Sequence, residues 1–328
     1  MAIGSHPRLI RTSSTVSSQF RNDCSGLFQS QVGSRPIELP PGTNIISASN
    51  HGVSFWTRTI KIDTKLPGDI PKSYFLKVAS GDRGRAMMLG ECESMRAIHA
   101  ITPSFIPEPY AWGTYESAPD THFFLCEFRE LKEELPDPHK LAAKLAELHL
   151  RRGSPEGKFG FHVTTFNGNM PQDNGWTDTW EEFYVRGLRH VFRLEAEAQG
   201  PSEELGGLKV PLFEKVIPRL LRPLETEGRS IQPALVHGDL WCGNIGKGID
   251  SGEPVVFDAS AFWAHNECKF ECLKPLVTRL TTPPTDELGN WRPVRNKLGP
   301  EYFKAYHSYV PIAEPQEDYD DRNALYSM

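Results

Sequence analysis

Short runs in which apolar and polar residues alternate characterise the chain between residues 39 and 131. The run SFWTRTIKI at 54–62 alternates in this way, and SYFLKVA follows at 73–79 after the turn LPGDIPK. Alternation with aromatic and β-branched residues is typical of half-buried strands, and a Pro/Gly turn between two such runs predicts an antiparallel pair. HFFLCEFREL at 122–131 predicts a further strand.

Helical periodicity begins with MLGECESMRAIHAI and then governs most of the chain after residue 131. Two short apolar runs, ALV at 234–236 and PVVF at 254–257, interrupt it and predict a small hairpin. Apolar residues that recur at three- and four-residue spacing predict amphipathic helices. The predicted helices lie at 88–101, 138–150, 176–198 and 209–225.

The pattern predicts an α+β chain in two parts, and the composition agrees. The 328 residues are 38% hydrophobic and 24% charged, which suffices for two modest domains or one bilobed unit. Residues 1–38 are polar and Ser-rich, and we predict a disordered leader there. The first 22 residues contain Arg and Ser but no Asp or Glu, which leaves a mitochondrial leader as the alternative. We predict an N-terminal lobe at 39–131 and a C-terminal lobe at 132–328.

Charge and cysteine usage restrict the partners and the compartment. The net charge of −6 argues against nucleic acid as a partner. No apolar run approaches the ~18 residues of a membrane helix, so we expect no membrane span. The six cysteines lack the spacing of a zinc site, which favours reduced thiols and a cytoplasmic protein. The sequence leaves the oligomeric state unknown.

The stretch LVHGDLWCGNIGKGIDSGEPVVFDASAF at 235–262 carries the clearest chemistry. Asn244 follows Asp239 by five residues, and Asp258 follows Asn244 by fourteen at the end of an apolar run. Kinase-like phosphotransferases use one carboxylate to accept the proton of the attacking hydroxyl, and an amide oxygen and a second carboxylate to hold Mg²⁺. We therefore predict Asp239 as the catalytic base, and Asn244 and Asp258 as Mg²⁺ ligands.

A kinase also needs a cation that positions the phosphates of ATP. Lys77 lies in the predicted strand YFLKV, and Glu91 lies on the next predicted helix. Glu91 precedes Met95 by four residues and so shares the apolar face of this helix, whereas the rival Glu93 does not. We predict a Lys77–Glu91 ion pair that directs the ammonium to the nucleotide phosphates.

The loop that should cover the nucleotide is SASNHGVSFW, which contains one glycine, Gly52, instead of a glycine-rich motif. Ser47, Ser49 and backbone amides would cradle the phosphates, and a plain turn is the alternative. FLCEFREL has the position of a hinge between two lobes. The backbone groups of Glu127 and Arg129 are predicted to bond adenine there, with a plain strand end as the alternative.

LVHGDLWCGNIG together with VVFDASAFWAHNE resembles the fructosamine kinase (ketosamine-3-kinase) family, whose members are related to aminoglycoside phosphotransferases. Trp241 and Gly243 make this block more specific than a general kinase loop. FGFHVTTFNG, PQDNGW and MMLGECESMRAI are also similar to that family. The resemblance covers roughly residues 39–267 and resumes at 287–293. It implies a bilobed protein-kinase-like fold with a small β-rich lobe and a larger, mainly helical lobe.

The resemblance also implies an activity. Members of the family use ATP and Mg²⁺ to phosphorylate the sugar 3-hydroxyl of fructosamines on small amines or glycated proteins, and the phosphorylated adduct then leaves. His237 and Trp241 would border the substrate sugar, because an indole face stacks on sugar C–H groups; a structural tryptophan is the alternative. A related kinase for an aminoglycoside, choline or another hydroxyl acceptor is a second reading of the same motif.

Two departures from the family follow Asp258. An insert of nineteen residues, Cys268–Asp286, separates two motifs that are nearly adjacent in the family, and its composition resembles translated intron sequence. The chain also stops at DDRNALYSM, where the family continues into further helices. We expect this truncation to expose apolar surface of the second lobe. A catalytically impaired isoform that acts as a binding protein is therefore a third reading.

Overall fold

The computed structural model describes residues 31–32, 35–36, 39–52, 54–151, 153–268 and 297–327. The predicted leader at 1–38 lies outside these residues apart from two short strands, β1 (Gln31–Val32) and β2 (Arg35–Pro36). The predicted insert lies outside them apart from Cys268. Among the described residues, no helix has the length and apolar character needed to cross a membrane.

A five-stranded antiparallel sheet forms the N-terminal lobe, from β3 (Asn44–Asn50), β4 (Arg58–Leu66), β5 (Ile70–Ser80), β6 (Pro109–Tyr115) and β7 (Ala118–Glu127). Its spatial order is β3-β4-β5-β7-β6. The predicted antiparallel pairing of the second and third of these strands in the chain is confirmed. The predicted start of β4 at residue 54 is wrong, because the Ser54 hydroxyl accepts the amides of Trp56 and Thr57 and turns the chain there.

Helix α1 (Gly81–Ile101) packs against this sheet and begins seven residues before the predicted start at 88. Gly81 and Gly84 in its first turn have low helix propensity, and for this reason the sequence pattern did not predict the earlier start. Gly84 is required by packing, since a methyl group in its place would lie 2.9 Å from the Ala79 backbone. The buried face of α1 includes Met88 and Met95.

The C-terminal lobe is mainly helical, as expected. The helix predicted at 138–150 is confirmed as α2 (Pro138–Leu150). The helical backbone predicted at 209–225 is confirmed, but it begins earlier, at Glu203, and a π turn at Leu212–Val216 and a 3₁₀ turn at Arg222–Glu225 divide it into short helices. The other α-helices of the described residues are α3 (Trp180–Gln199), α4 (Glu203–Pro211), α5 (Ile217–Leu221), α6 (Pro300–His307) and α7 (Tyr319–Tyr326).

Small strand pairs carry the predicted catalytic loop, and their pairing differs from the predicted hairpin. The strand at 234–236 pairs with 262–264, and the strand at 254–256 pairs with 245–248. The two connections, 237–244 and 257–261, therefore lie side by side at one end of the paired strands. These short strands are β8 (Leu131–Lys132), β9 (Phe166–Asn167), β10 (Met170–Pro171), β11 (Ala234–Val236), β12 (Ile245–Gly248), β13 (Pro254–Val256) and β14 (Phe262–Ala264).

The C-terminal segment packs into the core of the second lobe. The Tyr326 hydroxyl accepts the Trp180 indole N–H at 2.8 Å, and the Tyr184 hydroxyl donates to the Leu325 carbonyl at 2.8 Å. Helix α7 thus packs against α3 in the core of the second lobe. Cys268 takes part in a disulfide, so the expectation that all cysteines are reduced is wrong there.

Candidate active site

An ammonium between two carboxylates marks the contact between the lobes. Lys77 on β5 is 7% exposed. Its Nζ donates to Glu91 Oε1 at 2.7 Å and to Asp258 Oδ1 at 2.6 Å. The strand, helix α1 and the turn after β13 therefore bring together three side chains that the sequence pattern had selected separately.

The rival glutamate has other partners. Glu93 accepts Arg96 Nη1 at 2.7 Å and contacts His162 Nε2 at 2.9 Å. Although burial opposes it, the bonds from His162 and Arg96 lower the pKa of Glu93. The choice of Glu91 as the partner of Lys77 is confirmed.

The Lys77 cluster has one cation for two carboxylates, and this ratio sets its electrostatics. Burial acts against the charged form of Lys77, but Asp258 and Glu91 together raise the pKa of Lys77. Burial raises the pKa of Glu91 to about 7, opposed by Lys77 and assisted by the charge of Asp258. The cluster thus carries more negative charge than one ammonium neutralises, and a bound cation would relieve this excess.

The predicted base and the first predicted Mg²⁺ ligand contact each other directly. Asn244 Nδ2 donates to the Asp239 carbonyl at 2.9 Å and to Asp239 Oδ2 at 3.1 Å. These bonds fix the direction of the Asp239 carboxylate. They also turn the amide oxygen of Asn244 away from Asp239, where it can serve a cation.

Asp258 completes the oxygen set. The Phe257 amide donates to the Asn244 carbonyl at 3.1 Å, so Asp258 directly follows a residue bonded to the catalytic loop. Asp258 has a φ of +59°, a region that non-glycine residues rarely adopt and that is frequent at functional sites. Its side chain is 47% exposed. An amide and a carboxylate oxygen suit Mg²⁺, which takes its remaining ligands from water and phosphates, so these residues fit the predicted ion.

The prediction that His237 contacts substrate is wrong. His237 is 1% exposed, and its Nδ1 accepts the Asp239 amide at 3.3 Å. Burial lowers the pKa of His237 to about 4, against the opposing charges of Asp239 and Asp258. A neutral, buried imidazole braces the catalytic loop from behind and cannot reach a ligand.

Two glycines of the catalytic loop permit close contacts. A methyl group on Gly238, which has a φ of +85°, would lie 2.0 Å from the Ser260 carbonyl oxygen. A methyl group on Gly243 would lie 2.3 Å from the Trp241 ring. The half-buried indole of Trp241 therefore folds over its own loop, and its predicted contact with substrate remains a prediction.

A buried hydrogen-bond network supports the Asp258 turn, and sequence reasoning assigned it no role. The Ser260 carbonyl accepts Thr165 Oγ1 at 3.3 Å and Gln172 Nε2 at 3.2 Å, and Ser260 Oγ donates to Asn167 Oδ1 at 2.9 Å. The Ala261 amide donates to a serine of α1, Ser94, at 2.9 Å. The runs FGFHVTTFNG and PQDNGW were the available signal, since they are rich in amides and hydroxyls beside apolar residues.

The structure separates the residues predicted to cradle the phosphates. Ser47 lies on β3 and its hydroxyl donates to Asp63 Oδ2 at 2.9 Å. Ser47 pairs with Asp63 on β4, and Lys77 pairs with Thr59, four residues earlier on the same strand. Ser47 therefore lies about 13 Å along the sheet from the position of Lys77. The prediction for Ser47 is therefore wrong.

Gly52 has the better position of the loop residues. It has a φ of +75°, and a methyl group there would lie 3.9 Å from the Thr59 hydroxyl, beside the rung of Lys77. Ser49 lies between Gly52 and Ser47, opposite Lys61 on β4. Both Gly52 and Ser49 remain predicted phosphate-loop residues.

The hinge prediction is altered at Glu127. Its amide donates to the Glu108 carbonyl at 2.8 Å, so this amide is not a donor for adenine. The guanidinium of Arg129 donates to Glu127 Oε2 at 2.7 Å and to the Ser104 carbonyl at 2.8 Å. Both side chains stabilise the hinge, and adenine contacts by the Arg129 backbone remain a prediction.

An aromatic group missed by the sequence pattern lies next to the hinge. His51 makes edge contacts with Phe128 and Phe75, with ring centroids 4.9 and 6.2 Å apart. Lys61 Nζ lies 4.4 Å from the centroid of the Phe128 ring. Alternation places Phe75 on the same face of β5 as Lys77, so this aromatic group faces the cleft.

The fold and the site define a protein-kinase-like architecture: an antiparallel sheet and one helix supply the ammonium, and a mainly helical lobe supplies the oxygen set. A fructosamine-3-kinase homologue from Haemophilus somnus has this fold, with a TM-score of 0.61 at 18% identity over 86% of this chain and 81% of that one. The GDP complex of a point mutant of aminoglycoside 2'-phosphotransferase-IIIa has a TM-score of 0.51 at 14% identity, covering 88% and 83% of the two chains.

The family follows from the sequence. The sequence model described as Fructosamine kinase matches residues 59–280, which is more than half of the chain, and the protein belongs to this family. A rice relative (Oryza sativa subsp. indica), named "Protein-ribulosamine 3-kinase, chloroplastic", is 34% identical over 200 residues, 60% of this chain. The match spans 55% of the length of that relative.

Proposed function

We propose that the protein is an ATP- and Mg²⁺-dependent kinase that phosphorylates the 3-hydroxyl of ketosamines. The observation that carries the proposal is the bridge from Lys77 to Glu91 and Asp258, at 2.7 and 2.6 Å, because it joins the phosphate-positioning cation to a metal-ligand position across the two lobes. Membership of the fructosamine kinase family supports the acceptor class.

The proposed reaction gives a role to each charged group of the site. The acceptor oxygen bonds to the γ-phosphorus of ATP while the bond to the β-phosphate oxygen breaks, and the acceptor proton passes to the Asp239 carboxylate. Asn244 holds Asp239 in place for this transfer through the bond to Oδ2 at 3.1 Å. Bound Mg²⁺ would neutralise the phosphates, held by the oxygens of Asn244 and Asp258. Lys77 would bind the phosphates once Asp258 turns from it to the ion.

The experiment is transfer of phosphate from ATP to a synthetic fructosamine, followed by ³¹P NMR. We expect turnover by the wild type and a loss of 10²–10⁴-fold, roughly the contribution of a general base, in Asp239→Ala. Asp250→Ala removes an exposed carboxylate from the turn after β12 and should retain full activity. Retained turnover in Asp239→Ala would refute the assignment of the base.

The same assay separates the proposal from its rivals. A panel of aminoglycosides, choline and fructosamines identifies the acceptor, and transfer to the first two alone would reject the ketosamine class. A thermal-shift measurement with Mg·ATP tests the binding-protein reading, since a ligand that binds only the folded state raises the Tm. Free ketosamines and glycated proteins are both included in the proposed substrate class.

The compartment is part of the proposal. We propose the cytoplasm, because Cys92, Cys126 and Cys242 of the described residues are free thiols, which outweighs the disulfide-bonded Cys268. Fractionation of cells that express the full chain with a C-terminal tag tests this, and enrichment in mitochondria would favour the alternative drawn from the Arg- and Ser-rich start of the chain.

A further inference from the structure

One residue of the loop between β3 and β4 reaches the other lobe. A methyl group in place of the Gly168 hydrogen would lie 3.1 Å from Nε1 and 3.7 Å from Cε2 of Trp56. The indole therefore lies directly against the backbone of Gly168, which has a φ of +58° in the turn between β9 and β10. The neighbouring Phe55 is 84% exposed, compared with 53% for Trp56.

The turn under Trp56 is connected to the candidate metal site. Asn167, next to Gly168, is 6% exposed, and its Oδ1 accepts Ser260 Oγ at 2.9 Å. Ser260 lies two residues after Asp258. The contact of Trp56 is thus made with the turn that holds the Asp258 segment in place.

The other side of the loop is connected to the ammonium. Thr59, three residues after Trp56, pairs with Lys77 across β4 and β5. The Thr59 carbonyl accepts the His51 amide at 3.1 Å, which closes the base of the loop. Trp56 therefore lies three residues from the strand position that pairs with Lys77 in the N-terminal lobe. Its indole contacts Gly168, in the turn that supports the Asp258 segment of the C-terminal lobe.

We propose that Trp56 is a positioning residue: by packing on the Asn167–Gly168 turn it holds the loop between β3 and β4 over the phosphates of the nucleotide. A loop with a single glycine and few buried residues loses conformational entropy when a nucleotide orders it. The Trp56 contact orders the loop before binding, so it lowers that cost without touching the reacting atoms.

The kinetic test compares three variants of the full chain and relies on the proposed kinase activity. In Trp56→Ala we expect the KM for ATP to rise roughly tenfold, the loss expected for one aromatic contact, while the KM for the acceptor is unchanged. Trp56→Phe should recover most of the wild-type KM. Phe55→Ala, which removes an adjacent exposed ring, is the matched control and should change the KM for ATP less than about twofold.

A wild-type KM for ATP in Trp56→Ala, or an equal rise in Phe55→Ala, would overturn the proposal. Gly168→Ala approaches the same contact from the C-terminal lobe and should raise the KM for ATP as well. Because both changes disturb the same contact, the KM for ATP of the double variant should be no higher than that of the more impaired single variant. Additive effects would assign the two residues to separate roles.

A binding measurement distinguishes failure of this inference from failure of the proposed function. Calorimetry gives the Kd for Mg·ADP, and hydrogen exchange follows residues 166–171, both without any acceptor. If the wild type phosphorylates no ketosamine but Trp56→Ala weakens Mg·ADP binding and speeds exchange at 166–171, the positioning role stands and the acceptor class falls. An unchanged Kd with unchanged exchange rejects the positioning role.

Discussion

Among the residues that the structure describes, two clusters join a buried cation to carboxylate oxygens, and they differ in how completely each charge is paired. Arg322 and Glu267 have side chains that are 0% and 2% exposed, joined at 3.0 Å. Arg322 also donates to the carbonyls of Pro315 and Ala313 at 2.6 and 2.8 Å. Every charge in this cluster has a partner in the protein, so its role is to fix α7 and the segment before it.

The Lys77 cluster also joins a cation to carboxylates, but one ammonium there faces two carboxylates, Glu91 and Asp258. Although burial opposes it, the charges of His265 and Arg322 and the Ala313 amide lower the pKa of Glu267. The pKa of Glu91 is instead raised to about 7. A buried pair in which each charge is satisfied stabilises one conformation, whereas a cluster with surplus negative charge and an open side is suited to exchange partners with a ligand.

The largest effect is expected at the fully paired cluster. Arg322→Met leaves Glu267 buried without its guanidinium and should lower the free energy of unfolding by about 3–5 kcal/mol, measured by urea denaturation. Arg219→Met is the matched control, because the Arg219 side chain is 59% exposed and the solvent screens its pair with Asp318, so its loss should cost less than about 1 kcal/mol. Equal costs for both variants would remove the distinction between the clusters.

The second prediction concerns His237 and is tested by measuring the free energy of unfolding as a function of pH. The pKa of His237 falls to about 4 from an ordinary value near 6.5, so the unfolded chain binds more protons between these values. This contribution to stability is present above pH 6.5 and is lost as the pH falls towards 4, by about 3 kcal/mol in total. His237→Gln should lack that part of the acid dependence, whereas the exposed His139→Gln should retain it. An unchanged profile in His237→Gln would contradict the prediction.

The third prediction separates activity from stability at the open cluster. Lys77→Met should lower kcat/KM at least about a hundredfold, or ~2.7 kcal/mol, because the phosphates lose their cation. Its stability should fall less than that of Arg322→Met, since Glu91 can take a proton near neutral pH and Asp258 can turn to solvent. Lys140→Met, which removes an exposed partner of Glu253, should alter neither quantity. A stability loss as large as that of Arg322→Met would make the Lys77 cluster structural.

Much of this molecule could be predicted because its signals are local. The helix at 138–150 has apolar residues at regular spacing, an Asp137 cap and a proline at its start, so pattern and structure agree. The choice of Glu91 over Glu93 followed from which face of one helix is apolar. In both cases neighbours in the sequence contain the relevant interaction.

The wrong predictions concern features that depend on contacts between segments distant in the chain. The strand at 254–256 was predicted to pair with 234–236, but two other strands of similar length were available, and register between short strands depends on tertiary packing. His237 reads as a site residue by its motif, and only the packing behind the loop buries it. Trp56 was assigned to a strand, whereas a Ser54 turn directs it to the other lobe.

The sequence by itself selected the candidate side chains of the site, since its carboxylates, amide and ammonium belong to recognisable local motifs. Only the tertiary structure decided that Lys77 meets Asp258, which is 181 residues away, and that Arg322 meets Glu267 in the core. The physical reason is that local patterns encode which face of an element is buried. The partner of a buried charge is chosen by the packing of whole elements against each other.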